Sequence, residues 1–341
     1  LVAATVIRIV RPMIARQATA AQPRVPFLSL AGLFVVALGL RWFVSPHAFL
    51  HELYHHGHDF DLLRSGLGLM PMHGDVSAAL LRFLEPWVGA FDDTLFAIPA
   101  TVGAGTVVAV AALDRTWFGR WDRALFAALI LTFLPHHLRY SASEVAVVPA
   151  TLFAVWSLAA ALDWTDPRLP ESCGAMVAEW LLTAWCRAEL IVYPVAVFVV
   201  VWWVRGQLPR ANRVGWILAG VVTAVGLAPR IVHVLTGGIG ATELTTSVAS
   251  VADGLRLVFD GYDPRPAYAL APVGTYSPIL WFLMIVGTVW AWTRNHRRPV
   301  GALAVLIFGH AAVLAYLFRN YPFVERTQVF VTPFVAMLAA G

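Results

Sequence analysis

The chain has 341 residues, 59% of them hydrophobic and only 13% charged, with a mean hydropathy of +0.72. Soluble domains carry about 25% charged residues, so this composition excludes an ordinary soluble protein and points to a polytopic membrane protein. The formal charge is +4, every basic residue is arginine, and no nucleic-acid patch occurs, so the arginines read as topology signals and anion binders.

Leu1 to Gln17 interleaves apolar residues with Arg8, Arg11 and Arg16, which suits an interfacial helix or a frayed terminus and not a cleavable signal peptide. Residues 1–26 are taken as a cytoplasmic or interfacial segment, and 27–341 as one membrane domain. The sequence lacks an initiator Met and stops at Gly341 inside an apolar run, which leaves room for further chain at either end. Phe27 to Val44 is the first predicted span, long enough to cross a bilayer. An outer loop over 45–93 follows, with a surface helix expected over Val76 to Phe91. Thr94 to Leu113 is the second span, ending at Asp114-Arg115. Ala124 to Leu138 is the third, Val145 to Leu162 the fourth, and Gly174 to Trp185 a short fifth. Leu190 to Val204, Val214 to Leu235, Pro278 to Thr293, Val300 to Phe318 and Val329 onward complete an all-α bundle of about ten spans with outer juxtamembrane helices. A second outer loop covers 236–277, with a short helix expected around Val251 to Phe259. Cys173 and Cys186 fall in or beside apolar segments and make no disulfide framework.

If the spans alternate, Arg8 to Arg24, Arg115 to Arg123, Arg205 to Arg213 and Arg294 to Arg298 share one side. The positive-inside rule makes that side cytoplasmic. The first loop, the turns at Arg139 and Arg187, the long loop and Arg319 to Arg326 then share the other side. The expected location is the cytoplasmic (inner) membrane, with the active face non-cytoplasmic. Few ionisable residues fall at span midpoints, which argues against a transporter.

The densest ionisable cluster is His51-Glu52-Leu53-Tyr54-His55-His56-Gly57-His58-Asp59-Phe60-Asp61, just beyond the first span. His51-Glu52-x-x-His55 is the spacing that puts two histidines on one helix face for zinc, with Glu52 as general base of a protease. Pro46 and Gly57 leave such a helix two or three turns at most, and a solvated loop without chemistry is the plain alternative. Alternatively Glu52, at the mouth of a span, takes a proton from an attacking hydroxyl, while the histidines orient it or hold a divalent metal. That chemistry needs cations to receive a departing phosphate. Arg139, Arg187, Arg319 and Arg326 lie at outer ends of predicted spans, where a planar guanidinium either forks phosphate oxygens or snorkels to the interface. Trp42, Trp87, Trp202, Trp203, Trp281, Trp290 and Trp292 fit an aromatic belt. Tyr262, Tyr268 and Tyr276 in the long outer loop are candidates for stacking on an acceptor.

Several short motifs run in a recognisable order. Glu52 follows the first span. Met72-His73-Gly74-Asp75-Val76 leads into an apolar stretch, and Phe118-Gly119-Arg120 forms a turn after the second span. Pro135-His136-His137-Leu138-Arg139-Tyr140-Ser141, Arg187-Ala188-Glu189, and Glu325-Arg326 with Pro333 complete the series. In this order the chain resembles the membrane-embedded, GT-C type glycosyltransferases that use polyprenyl-phosphate sugars, the group of protein O-mannosyltransferases and lipid A aminoarabinose transferases. Two departures stand: Ala142-Ser143 precedes Glu144 where many relatives have Arg-Glu after the Tyr-Ser pair, and histidines follow Glu52 where relatives often carry a second acid.

The resemblance implies sugar transfer from a polyprenyl-phosphate donor to a lipid, glycan or protein acceptor, with inversion and Glu52 as base. The shared outer side of Arg139, Arg187, Arg319 and Arg326 makes them the expected donor-phosphate clamp. His51 stands with Glu52 as a catalytic candidate, and His73, Asp75, Tyr140, Glu144 and Glu189 are expected to support them. The one cofactor candidate is a divalent metal at His51 and His55. The zinc protease and a non-catalytic subunit of a membrane assembly stand as alternatives.

Overall fold

A computed structural model of the chain describes residues 26–44, 86, 92–141, 147–164, 172–187, 190–191, 193–206, 213–235, 276–317 and 328–341. Every regular element among them is helical: α1 (Phe27–Val44), α2 (Asp92–Phe118), α3 (Trp121–Phe133), α4 (Pro135–Ser141), α5 (Val147–Trp164), α6 (Ser172–Cys186), α7 (Tyr193–Arg205), α8 (Arg213–Leu235), α9 (Pro278–Thr293), α10 (Arg297–Leu317), a 3₁₀ turn (Gln328–Val331) and α11 (Thr332–Ala339). Each predicted span that falls on described residues is helical over most of its length. The expected helices at Leu1 to Gln17, Val76 to Phe91 and Val251 to Phe259 lie outside the described residues, apart from a helical Glu85-adjacent Pro86.

The bundle is apolar outside. Val35 and Phe43 on α1, Ile217, Leu218, Val221 and Val225 on α8, and Ile279, Phe282, Ile285 and Val289 on α9 are all exposed. Ranks of bare aliphatic side chains on a helical surface fit contact with lipid. By length and apolar composition Ala97–Phe118 is enough to cross a membrane, and shorter apolar helices such as Phe27–Phe43 and Pro278–Thr293 accompany it. Inside, α2 packs against α1, α3, α5 and α11, while α8 touches the rest chiefly through α6. Short α11 is buried along its whole length between α3, α9 and α10, as a helix that is hydrophobic all round must be. Interior hydroxyls are satisfied within their own helices: Thr106 donates to Val102 O, Thr132 to Ala128 O and Thr151 to Val147 O. Such pairing is what a medium without water demands.

Two boundaries differ from the sequence expectation. The second span does not stop at Asp114-Arg115 but runs to Phe118, because Asp114 is enclosed and accepts from Arg123 Nη1 of α3 at 2.6 Å. Its end is set by Gly119, whose φ of +81° a side chain disfavours. The third span is two helices: Leu134 turns extended (ψ 112°) before Pro135, which restarts the chain as α4.

The predicted basic turns meet at one end. Arg120 lies over Trp290, Phe118 meets His296, and Gly206 abuts Arg298. These contacts join the turns after α2, α7 and α9. Trp42, Trp202, Trp203 and Trp292 are exposed near helix ends, as a belt requires.

The buried Asp114–Arg123 pair sets a measurable stability term. Asp114→Ala leaves a guanidinium uncompensated in the interior and is expected to lower stability by about 3–5 kcal/mol. The apolar double change Asp114→Leu/Arg123→Met is expected to recover most of that loss in thermal unfolding of the detergent-purified chain.

Candidate functional site

At the end opposite the basic turns, α1 contributes a fully enclosed arginine. Arg41 Nη1 donates back to Ala37 O at 2.9 Å, and Nη2 donates to His137 Nδ1 of α4 at 2.7 Å. A guanidinium can only donate, so Nδ1 supplies a lone pair and His137 is a neutral imidazole carrying its proton on Nε2. Arg41 Nε and His137 Nε2 are buried without a hydrogen-bond partner among the described residues. One turn further along α4, Ser141 lies on the same face as His137, against Gly103 of α2. A Cβ at Gly103 would collide with the Ser141 side chain and come within 2.8 Å of Arg41 Nε. Glycine is required there because three helices converge on one backbone.

The other face of α4 carries the aromatic and cationic groups. The rings of His136 and Tyr140 lie 5.0 Å apart, and His136 meets Tyr276 edge-on at 6.4 Å. The Arg139 guanidinium stands 5.2 Å from the Tyr140 ring centre. Tyr140 packs with Val147 and Val329, and the Tyr276 hydroxyl donates to Gln328 O at 3.4 Å. Burial pushes the Tyr276 hydroxyl above its ordinary range, so it remains a neutral donor. The 3₁₀ turn is thus the hub of this end, since Phe330 also meets Tyr193 at 5.5 Å and His310 at 4.9 Å. Tyr193 in turn donates to Ala154 O at 2.7 Å. Arg187 is nearly enclosed where α6 ends, its N–H donating to Thr183 O and its carbonyl accepting from Leu190 N.

Of the sequence candidates, Arg139, Tyr140 and Arg187 are described, and all three lie at this end. Glu52, His51, His55, His73, Asp75, Glu144, Glu189, Arg319 and Arg326 lie outside the described residues, as do Tyr262 and Tyr268. Tyr276 is buried and holds the hub together, so it does not present a face to an acceptor; this corrects the stacking expectation for that residue. Among the described residues no group of three or more His, Cys, Asp or Glu is placed to hold a metal ion. The residue the sequence reasoning missed is Arg41. An arginine in the last turn of an apolar span is costly enough to demand a buried partner, which was the available signal.

No family model and no curated protein sequence matches this chain. Solved structures do match in fold. ArnT from Cupriavidus metallidurans in the apo state has a TM-score of 0.60 at 19% identity, covering 91% of this chain and 58% of that one. The same protein bound to undecaprenyl phosphate gives 0.61 at 16% identity, with 91% and 59% covered. The archaeal oligosaccharyltransferase AglB from Archaeoglobus fulgidus, in complex with an inhibitory peptide and a dolichol-phosphate, gives 0.56 at 14% identity, with 92% and 50% covered. This chain therefore spans between half and three fifths of the length of the structures it matches. It shares the polytopic helical fold of these membrane proteins, the fold that the ordered motifs implied.

The convergence at Gly103 predicts a sharp contrast between two alanine substitutions. Gly103→Ala is expected to push α4 and Arg41 off α2 and to cost about 1–3 kcal/mol of stability. Gly39→Ala in α1, where nothing lies within 4 Å of the added carbon, is expected to leave the melting temperature unchanged or slightly raised. Thermal unfolding of both variants in one detergent checks the pair.

Proposed function

We propose that a chain of this fold transfers a sugar from a polyprenyl-phosphate donor to an acceptor hydroxyl on the non-cytoplasmic face of the cytoplasmic membrane. The observation that carries the reading is the shared fold with a protein solved with undecaprenyl phosphate bound. Two placements support it. The basic turns gather at one end, the end the positive-inside rule assigns to the cytoplasm. Tyr140 and Arg139 lie beside the 3₁₀ hub at the other end, and Arg187 closes α6 on that same end.

In the proposed reaction the Glu52 carboxylate accepts the proton of the acceptor hydroxyl. The acceptor oxygen forms the new bond to the anomeric carbon from the face opposite the phosphate. The bond from that carbon to the phosphate oxygen breaks, and its electron pair leaves with the polyprenyl phosphate. Configuration inverts, and the proton remains on Glu52 until it is lost to water. Charge grows on the departing phosphate, so Arg139, Arg187, Arg319 and Arg326 are assigned to receive it, guanidinium forks matching its oxygens in pairs. His51, His73, Asp75, Glu144 and Glu189 are assigned to orient Glu52 and the clamp, and Tyr140 to fix Arg139. The lipid A aminoarabinose and oligosaccharide transfers of the matched proteins belong to those proteins.

Two substitutions test this. Glu52→Gln keeps the size of the side chain and removes the base, and is expected to reduce sugar transfer about 10²–10⁴-fold with undecaprenyl-phosphate binding retained. Arg139→Lys keeps the charge and loses the fork, and is expected to weaken undecaprenyl-phosphate binding about tenfold, roughly 1.4 kcal/mol. Full sugar transfer by Glu52→Gln would overturn the base assignment, and absence of transfer by the purified wild-type chain, with transfer restored only by a partner, would favour a non-catalytic subunit. Stoichiometric zinc lost on His51→Ala, together with peptide cleavage, would instead establish the protease chemistry.

A further inference from the structure

With seven residues α4 makes about two turns, so its rotation is set by what it touches. The extended Leu134 and Pro135 interrupt the helical path from α3 just before it. At about 100° per residue, Tyr140, His136 and Arg139 lie about 60°, 100° and 160° round the axis from His137, all to the same side. Ser141 lies about 40° to the other side. The groups that face the hub and the proposed donor are therefore aimed by whatever holds His137 and Ser141.

Small rotations matter here. A turn of about 20° carries groups at the rim of a helix, about 5–6 Å from the axis, through about 2 Å. A binding constellation tolerates displacements of only about 0.5 Å.

The contact that resists such a turn is Arg41 with His137. Arg41 Nη1 is tied to Ala37 O at 2.9 Å and Nη2 donates to His137 Nδ1 at 2.7 Å, so the guanidinium is fixed on both sides. The side chain is fully enclosed, and no carboxylate among the described residues offsets its charge. Enclosing a cation with neutral acceptors alone is costly, and apolar side chains of similar size would join α1 to α4 more cheaply. What this pair adds is direction, because an imidazole nitrogen accepts along one line in the ring plane. Ser141 against bare Gly103 closes the same face, and Tyr140 packs on Val329, but contacts of those kinds have no such line.

We propose that Arg41 is a positioning residue for the donor-phosphate site: through Nδ1 of His137 it sets the rotation of α4 and so aims the Arg139 fork at the phosphate of a polyprenyl-phosphate donor. The inference rests on the sugar-transfer reading and assigns a role within that site to a residue from α1.

The test measures the Kd of undecaprenyl phosphate for the purified full chain in detergent, together with Tm. Two amides at position 137 separate the geometries: the Asn oxygen takes the place of Nδ1, whereas the Gln oxygen reaches the place of Nε2, out of line with Arg41. His137→Gln is expected to bind about tenfold more weakly than the wild type, as loss of the Arg139 fork does, and His137→Asn to regain most of that loss. Arg41→Met/His137→Leu is expected to keep the wild-type Tm or exceed it and yet to bind about tenfold more weakly, a split that a purely structural role would not produce. With Arg139→Lys already present, His137→Gln is expected to add less than about twofold, because the fork it aims is gone. Equal affinities in the Asn and Gln variants, wild-type affinity in the apolar pair, or independent effects of His137→Gln and Arg139→Lys would each overturn the proposal. Should the apolar pair fail to fold, the comparison of Asn with Gln decides. Absence of undecaprenyl-phosphate binding by the wild type would sink the sugar-transfer reading along with this inference, whereas wild-type binding that every variant retains would sink the inference alone.

Discussion

A charged group inside lipid has to find its partners within the protein, and this constraint organises the bundle. Arg41 is held by a backbone carbonyl of its own helix and by one imidazole, so it fixes α4 to α1 and fixes the proton position of His137. Asp114 and Arg123 do the corresponding work at the opposite end, tying α2 to α3. Neither contact is strong evidence of net stabilisation, since desolvation offsets most of the attraction. Both are directional, however, and direction is what an oily interface lacks. Aliphatic packing tolerates rotation and sliding of one helix on another, whereas a 2.7 Å bond to a single ring nitrogen does not.

The two ends consequently have different chemistry. One combines aromatic rings and neutral donors around the Gln328–Val331 turn, with Arg139 beside the Tyr140 ring, and the other gathers arginines beside tryptophan rings. On α4, the face holding His137 and Ser141 is consumed by packing. The neighbouring residues His136, Arg139 and Tyr140 are the ones left to meet the hub and the proposed donor. A single seven-residue helix thereby links an internal anchor to the outer groups.

Much of this was legible from residue order alone, for physical reasons. Phe27–Val44 and Pro278–Thr293 are uninterrupted apolar runs bounded by proline, serine or arginine signals, and both helices end where the sequence placed them. Ser277 caps the second by accepting from Leu280 N. The extension of α2 past Asp114 was hidden, because its cause is Arg123 from another helix and a local scan treats every charge as bound for water. The split at Leu134 was signalled by Pro135, but the continuing hydropathy concealed it. Counting spans puts Arg139 and Arg187 at the end opposite the basic turns, and the helices that carry them do run to that end. Arg41 was passed over because it reads as an ordinary charged terminus until the helix that encloses it is known. Glu52 and its histidines rest on motif order, with the local chemistry of the loop as their physical basis.

The closure of the bundle also has an order in time. Arg123 donates to Met337 O as well as to Asp114, a bond between residues 214 positions apart. Gly287 of α9 lies so close to Leu338 O and Gly341 that no side chain fits between them. During synthesis, α2, α3 and α9 must therefore sit in the bilayer with a slot between them that nothing yet occupies. Once made, α11 acts as the keystone of this seam. A chain interrupted before Met337 would carry a half-coordinated Arg123 guanidinium and an open slot beside Gly287, so the bundle closes only after α11 has followed the other helices into place.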